Sequence, residues 1–125
     1  MYAFYNLNPD KNLVGDCVVR AIGILTGKDW DTTYIRICIQ GLLMHDMPSS
    51  NKVWGAYLYK LGYRRHIAKD IYPDIYTIKK FCEDNPYGSF LVCTDKHVVA
   101  VIDGNYYDTM DSGEETPLYY WRKEY

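Results

Sequence analysis

Apolar residues fall at Val18, Ile22 and Leu25, the i, i+4, i+7 spacing of a single helical stripe, which predicts a helix from about Cys17 to Thr26. Asp16 is of N-cap type in front of it, and Gly27 supplies a stop behind. A second helix is expected over about Thr32 to Leu43, capped by Asp29 or Asp31. Its apolar positions run nearly all round, the pattern of a well-buried helix. Val53, Trp54, Tyr57, Leu58 and Leu61 repeat the helical spacing and predict a third helix from Lys52 to Leu61, stopped by Gly62. A fourth is predicted from Ile75 to Glu83, closed by Asp84-Asn85-Pro86. Between them Tyr63 to Ile67 alternates poorly and carries two arginines, which suits an edge strand.

After Gly88 the pattern changes to strands. Phe90 to Thr94 is a short apolar run, His97 to Ile102 is rich in β-branched residues, Tyr106 to Met110 pairs back, and Leu118 to Arg122 closes the chain as an aromatic strand. Asp103-Gly104-Asn105 is the clearest hairpin turn. Met1 to Asn6 is short and aromatic and reads as a strand or an anchoring arm. Helices first and antiparallel strands after is an α+β order, and one domain over residues 1–125 is expected.

Composition narrows the classes. Hydrophobic residues make up 48% and charged residues 24% of the 125, as in a folded globular chain. A net charge of −2 predicts no nucleic-acid partner and no membrane partner. The N-terminus lacks a signal-peptide pattern and no apolar run reaches spanning length, so a cytoplasmic location is expected. Cys17, Cys38, Cys82 and Cys93 form no CxxC pair and no Cys/His set of zinc spacing, so neither metal nor cofactor is expected. Cys38, Cys82 and Cys93 lie in apolar runs and read as small buried hydrophobes.

Cys17 differs from these three. It opens a helix, where unpaired N–H groups and the helix dipole stabilise a thiolate. His97, opening a strand, is the best-placed base of the three histidines, since His45 follows a helix and His66 sits beside Arg64-Arg65. The hairpin register then selects a carboxylate to hold the imidazole. A three-residue loop, Asp103-Gly104-Asn105, sets Asp111 opposite His97. A two-residue turn, Asp103-Gly104, sets Met110 there, with Asp108 diagonal on the same face. The three-residue reading, and so Asp111, is preferred.

Gly15-Asp16-Cys17-Val18-Val19-Arg20-Ala21, followed far downstream by His97 to Gly104 and by Tyr107-Asp108-Thr109-Met110-Asp111, resembles the papain-like cysteine peptidase superfamily. The small bacterial and phage-type members near the bacteriocin-processing peptidases are the most similar. The resemblance implies a nucleophile helix carrying Cys17, packed on an antiparallel sheet that carries His97 and an aspartate. It implies a peptide or protein substrate. The family usually places a glutamine shortly before the cysteine as an oxyanion donor. Here Asn12 is the nearest side-chain amide, with Asn8 further off, so Asn12 and the Cys17 backbone N–H are the expected donors. The reading is a cysteine-nucleophile hydrolase with a Cys-His-Asp triad. An acyl transferase on the same scaffold, or a binding module with weak or no turnover, are the alternatives. The substrate groove is expected from short loops, His45 to Ser50 and Asp111 to Thr116.

Overall fold

The computed structural model describes residues 1–124; only Tyr125 of the expected domain lies outside. The elements run β1 (Tyr2–Phe4), α1 (Cys17–Thr26), α2 (Trp30–Met44), α3 (Asn51–Lys60), β2 (Tyr63–Ile67), α4 (Ile78–Asp84), β3 (Ser89–Cys93), β4 (Val98–Ile102), β5 (Asn105–Asp108) and β6 (Tyr119–Lys123). The result is an α+β fold with four helices and a six-stranded sheet in the order β1-β5-β4-β3-β6-β2. The sheet is mixed rather than purely antiparallel, because β1 pairs parallel to β5. The N-terminal stretch is therefore an edge strand, and β2 is the opposite edge.

Why the C-terminal strands read as continuous apolar runs is clear from the layers. Leu91, Cys93, Ala100 and Trp121 face a core made with Ala21, Ile22, Val53, Trp54 and Leu58. The alternating residues Phe90, Val92, Val99 and Val101 face a second core with Ile78, Phe81 and Tyr106. Helices α1 to α3 thus lie on one face and α4 on the other. A strand buried on both faces has no polar side to alternate with.

Local chemistry sets the helix ends. Asp29 caps α2 by accepting from the Thr32 N–H at 2.8 Å, and Gly27 ends α1 in the left-handed region. Helix α4 starts three residues later than Ile75, because the Thr77 hydroxyl caps it. The expected burial of α2 is corrected. Thr33, Ile37 and Gln40 face the protein, while Ile35, Ile39, Leu42 and Leu43 are exposed. Cys38 is accordingly only half-buried, whereas Cys82 and Cys93 are buried. Among the described residues, no helix is long and apolar enough to cross a membrane.

Candidate active site

Helix α1 packs across β4, and this packing brings Cys17 to His97. Ile22 and Leu25 anchor the helix in the core, and its first turn reaches the upper end of β4, where His97 immediately precedes Val98. The Cys17 sulfur lies beside the His97 ring and the backbone N–H of Val98, and both stabilise its thiolate. On the far side of the ring, Nε2 is hydrogen-bonded to Asp108 Oδ2, which leaves Nδ1 toward the sulfur.

The register decides which aspartate is used. Ile102 pairs with Asn105, so the turn is the two-residue Asp103-Gly104, not the three-residue loop preferred from sequence. Both central residues have positive φ, 49° and 77°, the type I′ geometry that matches strand twist. Asp108 is 2% exposed and faces His97. Asp111 is corrected as the expected partner: its carboxylate accepts from the Tyr106 hydroxyl and the Gly113 N–H instead, tying the loop after β5 to the sheet.

Asp108 is held from every side. Its oxygens accept from Ser112 Oγ at 3.1 Å, from the Thr109 N–H at 2.7 Å and from Arg20 at 3.3 Å. Arg20 is itself buried and donates from Nε to Asp16 at 2.8 Å. Asp16 also accepts from Trp30 Nε1 at 2.9 Å and from the Asn8 amide. So Asp16, at the N-cap position, makes no side-chain cap and instead joins α1 to Asp108 through Arg20. Sequence reasoning did not single out Arg20, Ser112 or Trp30. The i, i+4 spacing of Asp16 and Arg20 was the available signal.

The charges follow from these contacts. Burial alone would push the Cys17 thiol up, but the hydrogen bonds from His97 and Val98 and the nearby positive charge outweigh it and hold it below the ordinary thiol value. The hydrogen bond to Asp108, joined by that to Cys17, pushes His97 up to about 10. Burial would likewise raise Asp108, yet its bond to His97 and its other donors keep it below the usual carboxylate range. The arrangement favours a thiolate beside an imidazolium, backed by an ionised carboxylate. At Cys93 burial outweighs the neighbouring Tyr119 hydroxyl and Arg65 and pushes the thiol up to about 12.

The site opens into a cleft of about 350 Å³, lined by Asn12, Leu13, Val14, Lys96, Thr109 and Met110 as well as Cys17 and His97. Asn12 lies exposed on its rim, and its carbonyl accepts from the Asn6 amide. Asn8 is buried and occupied with Asp16. The expected groove loops differ: neither His45 to Ser50 nor Asp111 to Thr116 lines the cleft. His45 ends α2 in the left-handed region, and His66 bonds Glu124 at 2.6 Å while stacking on Tyr120. No protein-family model, curated protein or solved structure matches the chain.

Proposed function

We propose that the protein is a cysteine-nucleophile hydrolase of papain-like type, acting on peptide bonds. The single observation that supports this most is Cys17 beside His97, with His97 hydrogen-bonded to Asp108, at a helix N-terminus that opens into a cleft. In this reading Cys17 Sγ attacks the scissile carbonyl carbon. The carbonyl oxygen takes up negative charge, stabilised by the Cys17 backbone N–H and the Asn12 amide. The His97 imidazolium gives its proton to the departing amine as the C–N bond breaks, leaving a thioester. His97 then takes a proton from water, whose oxygen attacks the thioester and releases the acid and the thiolate. Asp108 keeps the ring's orientation and its positive charge. An amine in place of water would make the same site an acyl transferase. Product analysis with added amine separates the two.

The test is alkylation by iodoacetamide at about pH 6, where an ordinary thiol is almost entirely protonated. Cys17 is expected to react at least about tenfold faster than Cys38, Cys82 and Cys93 by mass spectrometry. Equal rates at all four in the folded protein would sink the reading. Turnover of a peptide library is expected to follow a bell-shaped pH profile. Its acid limb lies below the ordinary thiol value, where Cys17 becomes protonated. Its alkaline limb lies toward about 10, where His97 loses the proton that the leaving group needs. An alkaline limb near pH 6.5, the unperturbed histidine value, contradicts the assigned partners.

A further inference from the structure

The surface across α3, β2 and β6 carries a charge pattern unlike the rest of the chain. From Asn51 to Lys69 the sequence contains no Asp or Glu, although the whole chain carries 16 acids to 14 Lys and Arg. This stretch folds as α3 followed by β2, the free edge of the sheet. Between them and β6 lies a cleft of about 550 Å³, within the range of ligand-binding sites. Trp54, Tyr59, Tyr119 and Trp121 form its aromatic walls, and Lys52, Lys60 and Arg65 supply its charges. None of these three cations has a carboxylate partner among the described residues.

The two lysines are spread along the line of α3, and the arginine is held in place. Lys52 and Lys60 stand near the two ends of α3, about 12 Å apart along its axis. The Arg65 guanidinium lies over the Tyr119 ring at 4.2 Å, and Arg64 lies over Tyr59 at 3.6 Å. An arginine stacked this way presents its N–H fork without further ordering. The line matches roughly four residues of extended peptide at ~3.3 Å each. The antiparallel alternation of β2 with β6 turns the backbone groups of Arg65 and Ile67 outward, toward a chain lying along this edge. Tyr119 is also the strand neighbour of Cys93, itself paired with Val98 beside Cys17, so one end of the cleft approaches the thiol.

We propose that this cleft binds an extended acidic peptide segment, with Asp or Glu side chains on Lys52, Arg65 and Lys60 and an apolar or aromatic residue against Trp54 and Tyr119. An outward strand edge beside an apolar wall favours a polypeptide over a nucleic acid, which would leave those backbone groups unused. Binding does not depend on Cys17. That the bound segment belongs to a substrate rests on the hydrolase reading.

The experiment uses the Cys17→Ala protein, so that binding is measured without turnover. The probe is a fluorescein-labelled octapeptide alternating Glu with Leu or Tyr, read by anisotropy. Saturable binding is expected, weakening about tenfold or more in a Lys52→Glu/Arg65→Glu variant and on raising salt from about 50 to 300 mM. The same peptide with Lys in place of Glu is expected not to bind. Equal binding of the acidic and basic peptides overturns the proposal. So does tighter binding of a single-stranded oligonucleotide than of the acidic peptide. The peptide and salt comparisons need no charge-reversed variant. Failure of Cys17 alkylation with intact peptide binding removes the hydrolase reading alone; the converse removes this site alone.

Discussion

Replacing Asp108 with Asn is expected to lower kcat/KM by on the order of 10² to 10⁴, while Asp111→Asn leaves it within about threefold. The difference follows from what each carboxylate touches. Asp108 bonds His97 and is the leading cause of that ring's raised pKa. An amide in its place keeps the shape but removes the charge, so the imidazolium loses its stabilisation and the thiolate its partner. The alkaline limb of the pH profile should move down, and Cys17 alkylation at about pH 6 should slow. Asp111 bonds Tyr106 and Gly113, and its loss loosens a surface loop without altering the ring. Paired kinetics and alkylation of the two variants, with circular dichroism to show that both fold, measure this. Collapse of Asp111→Asn with Asp108→Asn unaffected would reverse the assignment.

That contrast also marks where the sequence ran out. Helical spacing located α1 to its residue bounds, and the two-sided burial of β3 and β4 left their apolar runs unmistakable. The turn was harder, because Asn105 tolerates left-handed backbone almost as well as Asp103 and Gly104 do. Contacts far along the chain fit the shorter turn. The Asp103 carboxylate accepts from the Gly88 N–H at 2.9 Å, the Asp103 N–H donates to the Gly88 carbonyl at 2.8 Å, and the N-terminal amine donates to Gly104 at 2.7 Å. One residue of register then exchanges Asp111 for Asp108. The same limit applies to α2. Periodicity counts apolar positions but does not say how many neighbours arrive to cover them, and among the described residues only α1 and α3 pack closely on that helix. At Asp16 a local rule gave way to a tertiary demand: a good capping residue was drawn off to neutralise a buried arginine.

That arginine sets the second large effect. Arg20→Met is expected to destabilise the fold by about 3–5 kcal/mol at neutral pH, the usual cost of removing one partner from a buried ion pair. Arg20 lies between Asp16 at 2.8 Å and Asp108 at 3.3 Å, and all three are buried. Methionine fills the stem's volume but leaves two carboxylates without their common cation. Burial would raise Asp16, and the Arg20 hydrogen bond is the first of the contacts that hold it low instead. A depressed carboxylate contributes stability above its unfolded pKa of about 3.9 and loses it as pH falls through the folded value. Without Arg20 that carboxylate protonates at higher pH, so the difference between variant and wild type should be largest near neutrality and shrink toward about pH 4. Urea unfolding at both pH values reads this directly. Adding Asp16→Asn to Arg20→Met should recover part of the loss, because the amide needs no cation. A neutral-pH loss under about 1 kcal/mol would mean that Arg20 only decorates the site, the value expected of an exposed pair. The predicted loss would instead place Arg20 where fold and chemistry meet: the residue that bonds Asp108 beneath His97 is the one that fastens the Cys17 helix to the sheet.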